Sequence, residues 1–212
     1  MKSKIKNQKS KIKIPQSAIR NPQCEILICG FGGQGIIFAG ELLGRAGMHA
    51  GMEAAQSASY GAEARGSACH AEVLLSSEHI PYPRVRRPDL LIAMSQAGYD
   101  KFAAKVKKDG RIVYDSDLVS PRKLDSVEQT PFAATAAATE LGRRGVANVV
   151  MLAAVVSTTG MIPPDALKSA LEEQTPEKYR EVNLKALEVG QNMGMTISAP
   201  TSWGGEKDIS AG

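Results

Sequence analysis

Apolar positions along the chain switch between short unbroken runs and longer stretches at helical spacing. Residues 24–30 (CEILICG) are a compact apolar run ending in glycine, which predicts a strand buried on both faces. In residues 36–51, Ile36, Ile37, Leu42, Leu43, Ala46 and Gly47 fall near the 3.6-residue period, predicting a helix with one face on a sheet. Residues 52–56 (MEAAQ) read as a second strand and 68–77 (ACHAEVLLSS) as a third. Between them 59–67 (SYGAEARGS) is a polar loop of small residues. Residues 76–85 (SSEHIPYPRV) read as a turn or edge hairpin closed by prolines.

A second α/β unit follows. Residues 89–95 (DLLIAMS) predict a strand, and 96–108 a helix with Lys105, Lys107 and Lys108 towards its C-terminus. Residues 110–117 (GRIVYDSD) predict a strand entered through the Asp109-Gly110 pair. Residues 131–142 predict a helix. Residues 147–160 (ANVVMLAAVVSTTG) predict a helix apolar on every side, too short to span a bilayer and therefore buried, with Asn148 as its N-cap. Residues 163–194 read as two helices divided at Thr175-Pro176, with Thr175 as cap and Pro176 in the first turn. Strand–helix alternation of this kind predicts a three-layer α/β domain with a mostly parallel sheet and C-terminal helices covering one face. The expected organisation is a disordered basic tail over 1–22, one domain over 23–194 and a flexible C-terminal tail over 195–212.

Charge changes the picture only at the N-terminus. The chain of 212 residues carries a formal +4, but seven basic groups and no acid fall in residues 1–22. The rest holds nineteen basic against twenty-two acidic groups. The folded part is therefore mildly acidic, and with aromatic content of 5% it lacks the basic and stacking surface of a nucleic-acid binder. Three cysteines, Cys24, Cys29 and Cys69, form no disulfide framework, no apolar run reaches membrane-spanning length, and no signal peptide is evident. A cytoplasmic protein is expected.

The chemistry-bearing segment is Gly30-Phe31-Gly32-Gly33-Gln34-Gly35, a G-x-G-x-x-G sequence placed directly after a strand and opening a helix. In a Rossmann-like βαβ unit such glycines let the backbone turn tightly and approach a diphosphate, whose charge meets the N–H groups of the helix start. Two readings stay open: contact with an anion, or a device for packing the helix on the sheet. A dinucleotide would also need an acid closing the second strand about 20 residues on. Glu53 falls at that distance but opens the strand, and Gln56, Ser57 and Ser59 close it. Elsewhere, Cys69 and His70 are adjacent on a strand and point to opposite faces, so they make a poor metal pair, and His49 and His79 add no ligand spacing. Cys29 reads as a small buried apolar residue. Arg84, Arg86 and Arg87 form a basic cluster that suits solvent, a coenzyme A phosphate or an acidic partner. No catalytic residue and no metal site is predicted.

The string GFGGQGIIFAGELLGRAG (30–47), followed by QSASYGAEARGSACHAEVLLSS (56–77), IPYP (80–83) and PDLLIAMSQAGYDKF (88–102), resembles the gamma subunit or domain of 2-oxoacid:ferredoxin (flavodoxin) oxidoreductases. The resemblance covers about residues 24–190. The form of residues 59–66 is more similar to the 2-oxoglutarate branch than to the pyruvate branch, with Ala62 and Ser67 departing from the common pattern. The resemblance implies a multisubunit complex of alpha, beta and sometimes ferredoxin-like delta chains. Such complexes oxidatively decarboxylate a 2-oxoacid on thiamine diphosphate with Mg2+, pass electrons through [4Fe-4S] clusters to ferredoxin, and transfer the acyl group to coenzyme A. No Gly-Asp-Gly element and too few cysteines for a cubane occur here, so those groups are expected on partner chains and none firmly on this one. The expected roles are a coenzyme A or anion loop at Gly30, Gly32, Gly33, Gln34 and Gly35, and a subunit interface at Tyr60, Gly61, Glu63, Arg65 and Gly66. The competing reading is an independent NAD- or flavin-binding Rossmann oxidoreductase.

Overall fold

The structure, a computed structural model, describes residues 23–59 and 68–197. Six strands form one sheet: β1 (Gln23–Phe31), β2 (Glu53–Ser59), β3 (Ala68–Ser76), β4 (Leu90–Ala93), β5 (Arg111–Asp115) and β6 (Glu128–Phe132), in the order β2-β3-β1-β4-β5-β6. β1, β4, β5 and β6 pair in parallel, and β3 is antiparallel to both neighbours. Five strands therefore run one way and β3 alone is reversed. The expected three-layer α/β domain with a mostly parallel sheet is what forms.

The layers are unequal. Ile26 and Ile28 of β1 point into a large core shared with α1 (Ile36–His49), α3 (Ala134–Glu140), α4 (Ala147–Thr159), α5 (Pro164–Gln174) and α6 (Glu177–Thr196). Leu27 and Cys29, one residue out of phase, point to the other face, covered by α2 (Gln96–Phe102) and loop residues such as Val119 and Val85. The C-terminal helices thus cover one face, as the sequence predicts. α4 is buried along nearly its whole length because sheet and helices surround it, which is why its sequence has no polar stripe. No helix among the described residues is long and apolar enough to cross a membrane.

α6 approaches α4 through a stripe of small residues, Ala186, Gly190 and Gly194, spaced four apart on one helix face. A Cβ on Gly190 would run into the Val150 carbonyl oxygen and lie 2.7 Å from the Ala153 side chain. One on Gly194 would lie 2.5 Å from the Ala154 carbonyl oxygen. The Thr158 hydroxyl, donating to the Ala154 carbonyl at 2.9 Å, also lies 3.2 Å from the Gly194 carbonyl.

Four local expectations need correction. Residues 96–108 are not one helix: α2 stops at Phe102, a single 3-10 turn covers Ala103–Lys105, and Val106 is extended. That exit buries Val106 in the smaller core and lets the Lys107 N–H donate to Pro88 O at 3.0 Å. Thr175 does not cap α6. It ends α5, its buried hydroxyl has no partner among the described residues, and Pro176 holds the cap position. Asn148 does not cap α4 either, because Val146 is the cap residue and Asn148 lies inside the first turn. Residues 76–85 form no hairpin. β6 escapes the pattern because it is short and contains Pro131, which a strand paired with β5 alone among the described residues tolerates.

Candidate functional site

The chain turns between the C-terminal ends of β1 and β4, where the crossover from β1 leaves towards β2 and that from β4 leaves towards β5. In open α/β sheets this divergence opens a crevice in which ligands bind. The glycine segment sits there. Gln34 holds it with both ends of its amide: Phe31 N–H donates to Oε1 at 2.6 Å, and Nε2 donates to Met94 O at 2.8 Å. One side chain thus ties the end of β1 to the end of β4. Gly30 makes room for it, since a Cβ there would lie 2.5 Å from Gln34 Oε1 and 2.6 Å from Ile36 Cδ1.

Gly33 (φ 97°) and Gly35 (φ 70°) adopt left-handed backbone conformations that L side chains rarely enter, and Gly35 is the cap residue of α1. Gly35 is also hemmed in by Asn148, which a Cβ would strike. The buried Asn148 donates through Nδ2 to Gly35 O at 3.0 Å, and its Oδ1 accepts from Val149 N–H at 2.9 Å. Asn148 therefore fastens the start of α4 to the start of α1. The Gly35 carbonyl keeps its bond from Ala39 N–H at 2.9 Å, so Asn148→Ala removes one net hydrogen bond and is expected to lower stability by about 0.5–1.5 kcal/mol in urea unfolding. An Asn148→Ala chain as stable as wild type would show the bond is dispensable.

Beside the start of α1 lies a pocket of about 230 Å³ lined by Gly33, Gln34, Met94, Thr135, Arg144, Gly145 and Ala147, where Ala147 N–H already donates to Arg144 O and Thr135 N–H to Asp115. The first-turn N–H groups of a helix lack intrahelical acceptors and carry the positive end of its dipole, which suits an anion. Sequence reasoning passed over Arg144. Its signal was the basic Arg143-Arg144-Gly145 step just before the apolar helix. The neighbouring Asp115 is buried and already engaged: Oδ2 accepts from Thr135 Oγ1 at 2.6 Å and Thr135 N–H at 3.1 Å, and Oδ1 from Asp117 N–H at 3.1 Å. Burial pushes its carboxyl above the usual range, and these hydrogen bonds oppose the shift.

The dinucleotide reading fails on topology. β3 lies between β1 and β2, so β2 is not the neighbour that a ribose-binding acid would close. Glu53 sits at the far end of β2, opposite Ser76, where its carboxylate accepts from Ile80 N–H at 3.0 Å and lies 3.3 Å from His79 Nδ1. The expected interface residues Tyr60, Gly61, Glu63, Arg65 and Gly66 lie outside the described residues. The strands that flank them, ending at Ser59 and beginning at Ala68, do so at the glycine-loop end of the sheet.

Cys69 and His70 point to opposite faces as expected: Cys69 joins the larger core, and the His70 ring packs 5.0 Å from that of Phe102 in the smaller one. Burial holds His70 below the usual imidazole range. Glu72 opposes this, while Lys101 and Lys105 reinforce it. A lowered histidine means the unfolded chain binds a proton first, so stability falls as pH drops from about 6.5 towards the folded value. The melting temperature should therefore fall less between pH 7 and pH 5 in His70→Asn than in wild type. Identical slopes would remove His70 from the acid response. Asp115, shifted the other way, is common to both proteins and cancels in the comparison.

Residues 25–193 match the family described as pyruvate ferredoxin/flavodoxin oxidoreductase. The chain belongs to that family. It is 42% identical to the 2-oxoglutarate synthase subunit KorC of Methanocaldococcus jannaschii, over 82% of this chain and 95% of that one. It is 31% identical to the ketoisovalerate oxidoreductase subunit VorA of Methanothermobacter marburgensis, over 79% of this chain but 36% of that longer one. Among solved structures, the gamma subunit of a keto/oxoacid ferredoxin oxidoreductase from Geobacter sulfurreducens superposes with a TM-score of 0.74 at 35% identity, covering 82% of this chain and 97% of that one. The fold also recurs in the 2-oxoglutarate:ferredoxin oxidoreductase of Magnetococcus marinus, solved with 2-oxoglutarate, coenzyme A and succinyl-CoA (TM-score 0.77, 24% identity), where it makes up 32% of the chain. The crevice between β1 and β4 is thus the candidate site of a member of the oxidoreductase family.

Proposed function

We propose that this chain is the gamma subunit of a cytoplasmic 2-oxoglutarate:ferredoxin oxidoreductase, and that its glycine loop holds an anionic part of coenzyme A. The observation that carries the assignment is the near end-to-end match to KorC, 95% of that chain at 42% identity. Its partners are the alpha and beta subunits, with a ferredoxin-like delta chain where one exists.

The residues of this chain do not suit it to hold the redox groups. Cys24, Cys29 and Cys69 are buried in the sheet, and burial pushes their thiols up, that of Cys29 to about 12. A cubane needs four convergent thiolates, and no group of three metal-binding side chains occurs among the described residues. The reading assigns thiamine diphosphate, Mg2+ and the [4Fe-4S] clusters to the partner chains. On this reading the subunit contributes an anion cradle: Gln34 and Asn148 fix the loop, the start of α1 offers N–H groups, and Arg144 adds charge at the pocket.

Native purification with identification of co-eluting chains tests the assignment. Alpha and beta subunits of a 2-oxoacid oxidoreductase should co-elute, and the isolated chain should carry no iron or thiamine diphosphate. Elution alone, with NAD or flavin bound at unit stoichiometry, would favour the independent dehydrogenase.

A further inference from the structure

Residues 80–88 cross the face of the sheet that α2 leaves open, and they lie on a row of carboxylates. Glu53 of β2 accepts from Ile80 N–H at 3.0 Å, Glu72 of β3 from Val85 N–H at 3.3 Å, and Glu25 of β1 from Arg86 N–H at 2.8 Å and Arg87 N–H at 3.1 Å. Three adjacent strands in spatial order thus pin one strap through its backbone. Val85 packs against the smaller core, Pro81, Pro83 and Pro88 restrict the chain further, and Pro88 is buried where the strap enters β4. Glu25 is neutralised from below: Lys107 Nζ lies 3.3 Å from its Oε1 and 2.9 Å from Asp89 Oδ2.

The guanidinium groups of the strap are left over by this arrangement. Arg84, Arg86 and Arg87 are exposed and form no ion pair among the described residues. Arg86 stacks 4.8 Å over the ring of Tyr82, which is itself 53% exposed. Three unpaired cations on a fixed backbone stand out on a body whose remaining charge is negative. The strap also lies at the end of the sheet away from the glycine loop. Glu25 and Phe31 are six residues apart on β1, roughly 20 Å along the strand. The anion held by the loop is therefore not the one the strap meets.

We infer that the strap formed by Tyr82, Arg84, Arg86 and Arg87 is a pre-formed docking surface for a carboxylate-bearing face of a partner subunit. Because the backbone is already ordered, binding loses little conformational entropy there, and arginine and tyrosine are residue types that dominate interface energies. Charge of opposite sign on the partner speeds encounter and fixes orientation, at a rate that salt suppresses. The inference rests on the reading of this chain as an assembling subunit.

The test uses the full chain and the cognate partner subunits, purified without it and immobilised, with binding titrated across a series of NaCl concentrations. The triple variant Arg84→Ala, Arg86→Ala, Arg87→Ala should melt like wild type, since backbone N–H groups and not guanidiniums hold the strap. It should bind about tenfold or more weakly at low salt, with a shallower salt dependence. The triple lysine variant should keep most of the salt dependence, and it stands in should the alanine chain misfold. Wild-type affinity and salt slope in the alanine variant would overturn the inference, as would loss of the salt slope in the lysine variant. Self-association of the wild-type chain that the alanine variant abolishes would make a second copy the occupant and also overturn it. Failure of the wild-type chain to bind any subunit would sink the assembly reading together with this one, whereas binding indifferent to the arginines sinks this one alone.

Discussion

Gly190→Leu is expected to destabilise the protein by on the order of 3 kcal/mol or more, a large share of the roughly 5–15 kcal/mol that holds a domain together. The added side chain starts where the Val150 carbonyl oxygen already lies, and a helix backbone cannot swing aside as the tip of a side chain can. α6 would have to lift off α4 and give up the contact on which the larger core closes. A comparison separates lost space from altered helix propensity. Gly44 lies inside α1, and a Cβ there meets only Gln56 Cβ at 3.9 Å, an ordinary contact. Gly44→Ala should therefore stabilise by about 0.5–1 kcal/mol from propensity alone. Gly190→Ala, with the same propensity gain, should destabilise. Equal effects of the two alanine substitutions in urea unfolding would contradict close packing of α6 on α4.

The second large effect is expected at Gly32. A Cβ there meets nothing within 4 Å and the residue does not carry the positive φ of its neighbours, so Gly32→Val should leave the melting temperature of the isolated chain nearly unchanged. Gly33 is a poorer probe, because its φ of 97° strains any side chain whatever the space around it. If an anion rests on the loop, a valine at residue 32 intrudes on its approach. In the assembled complex the KM for coenzyme A should rise, or turnover should fall, by about tenfold to a hundredfold, with the KM for the 2-oxoacid less affected. A stable, fully assembled Gly32→Val complex with unchanged coenzyme A kinetics would reduce the loop to a packing device.

The elements that carry a strong period, β1, α1 and α4, were legible from the sequence because burial on two faces, one face or all sides writes a different pattern. The glycine loop was legible because its backbone demands glycine at residues 33 and 35. The insertion of β3 between β1 and β2 was not, since strand order is a long-range property that local pattern does not encode, and that order is what removes the ribose acid at Glu53. Asn148 reads as a helix cap because its partner Gly35 is 113 residues away along the chain, and Arg144 goes unnoticed because only the fold brings it to the pocket beside the glycine loop. The strap overlaps residues 76–85, which read as a turn or edge hairpin because their prolines mark a turn. Its stability comes instead from carboxylates on three other segments.

The central claim is that this chain is a working part of a 2-oxoglutarate oxidoreductase without being catalytic alone. Its most direct test is coenzyme A-dependent reduction of ferredoxin by 2-oxoglutarate, measured with the purified partner subunits in the presence and absence of this chain. The chain alone should show no activity, the partners alone little, and the combination full 2-oxoglutarate-dependent reduction. Full activity of the partners without this chain, or oxidation of a substrate with NAD by this chain alone, would contradict the claim.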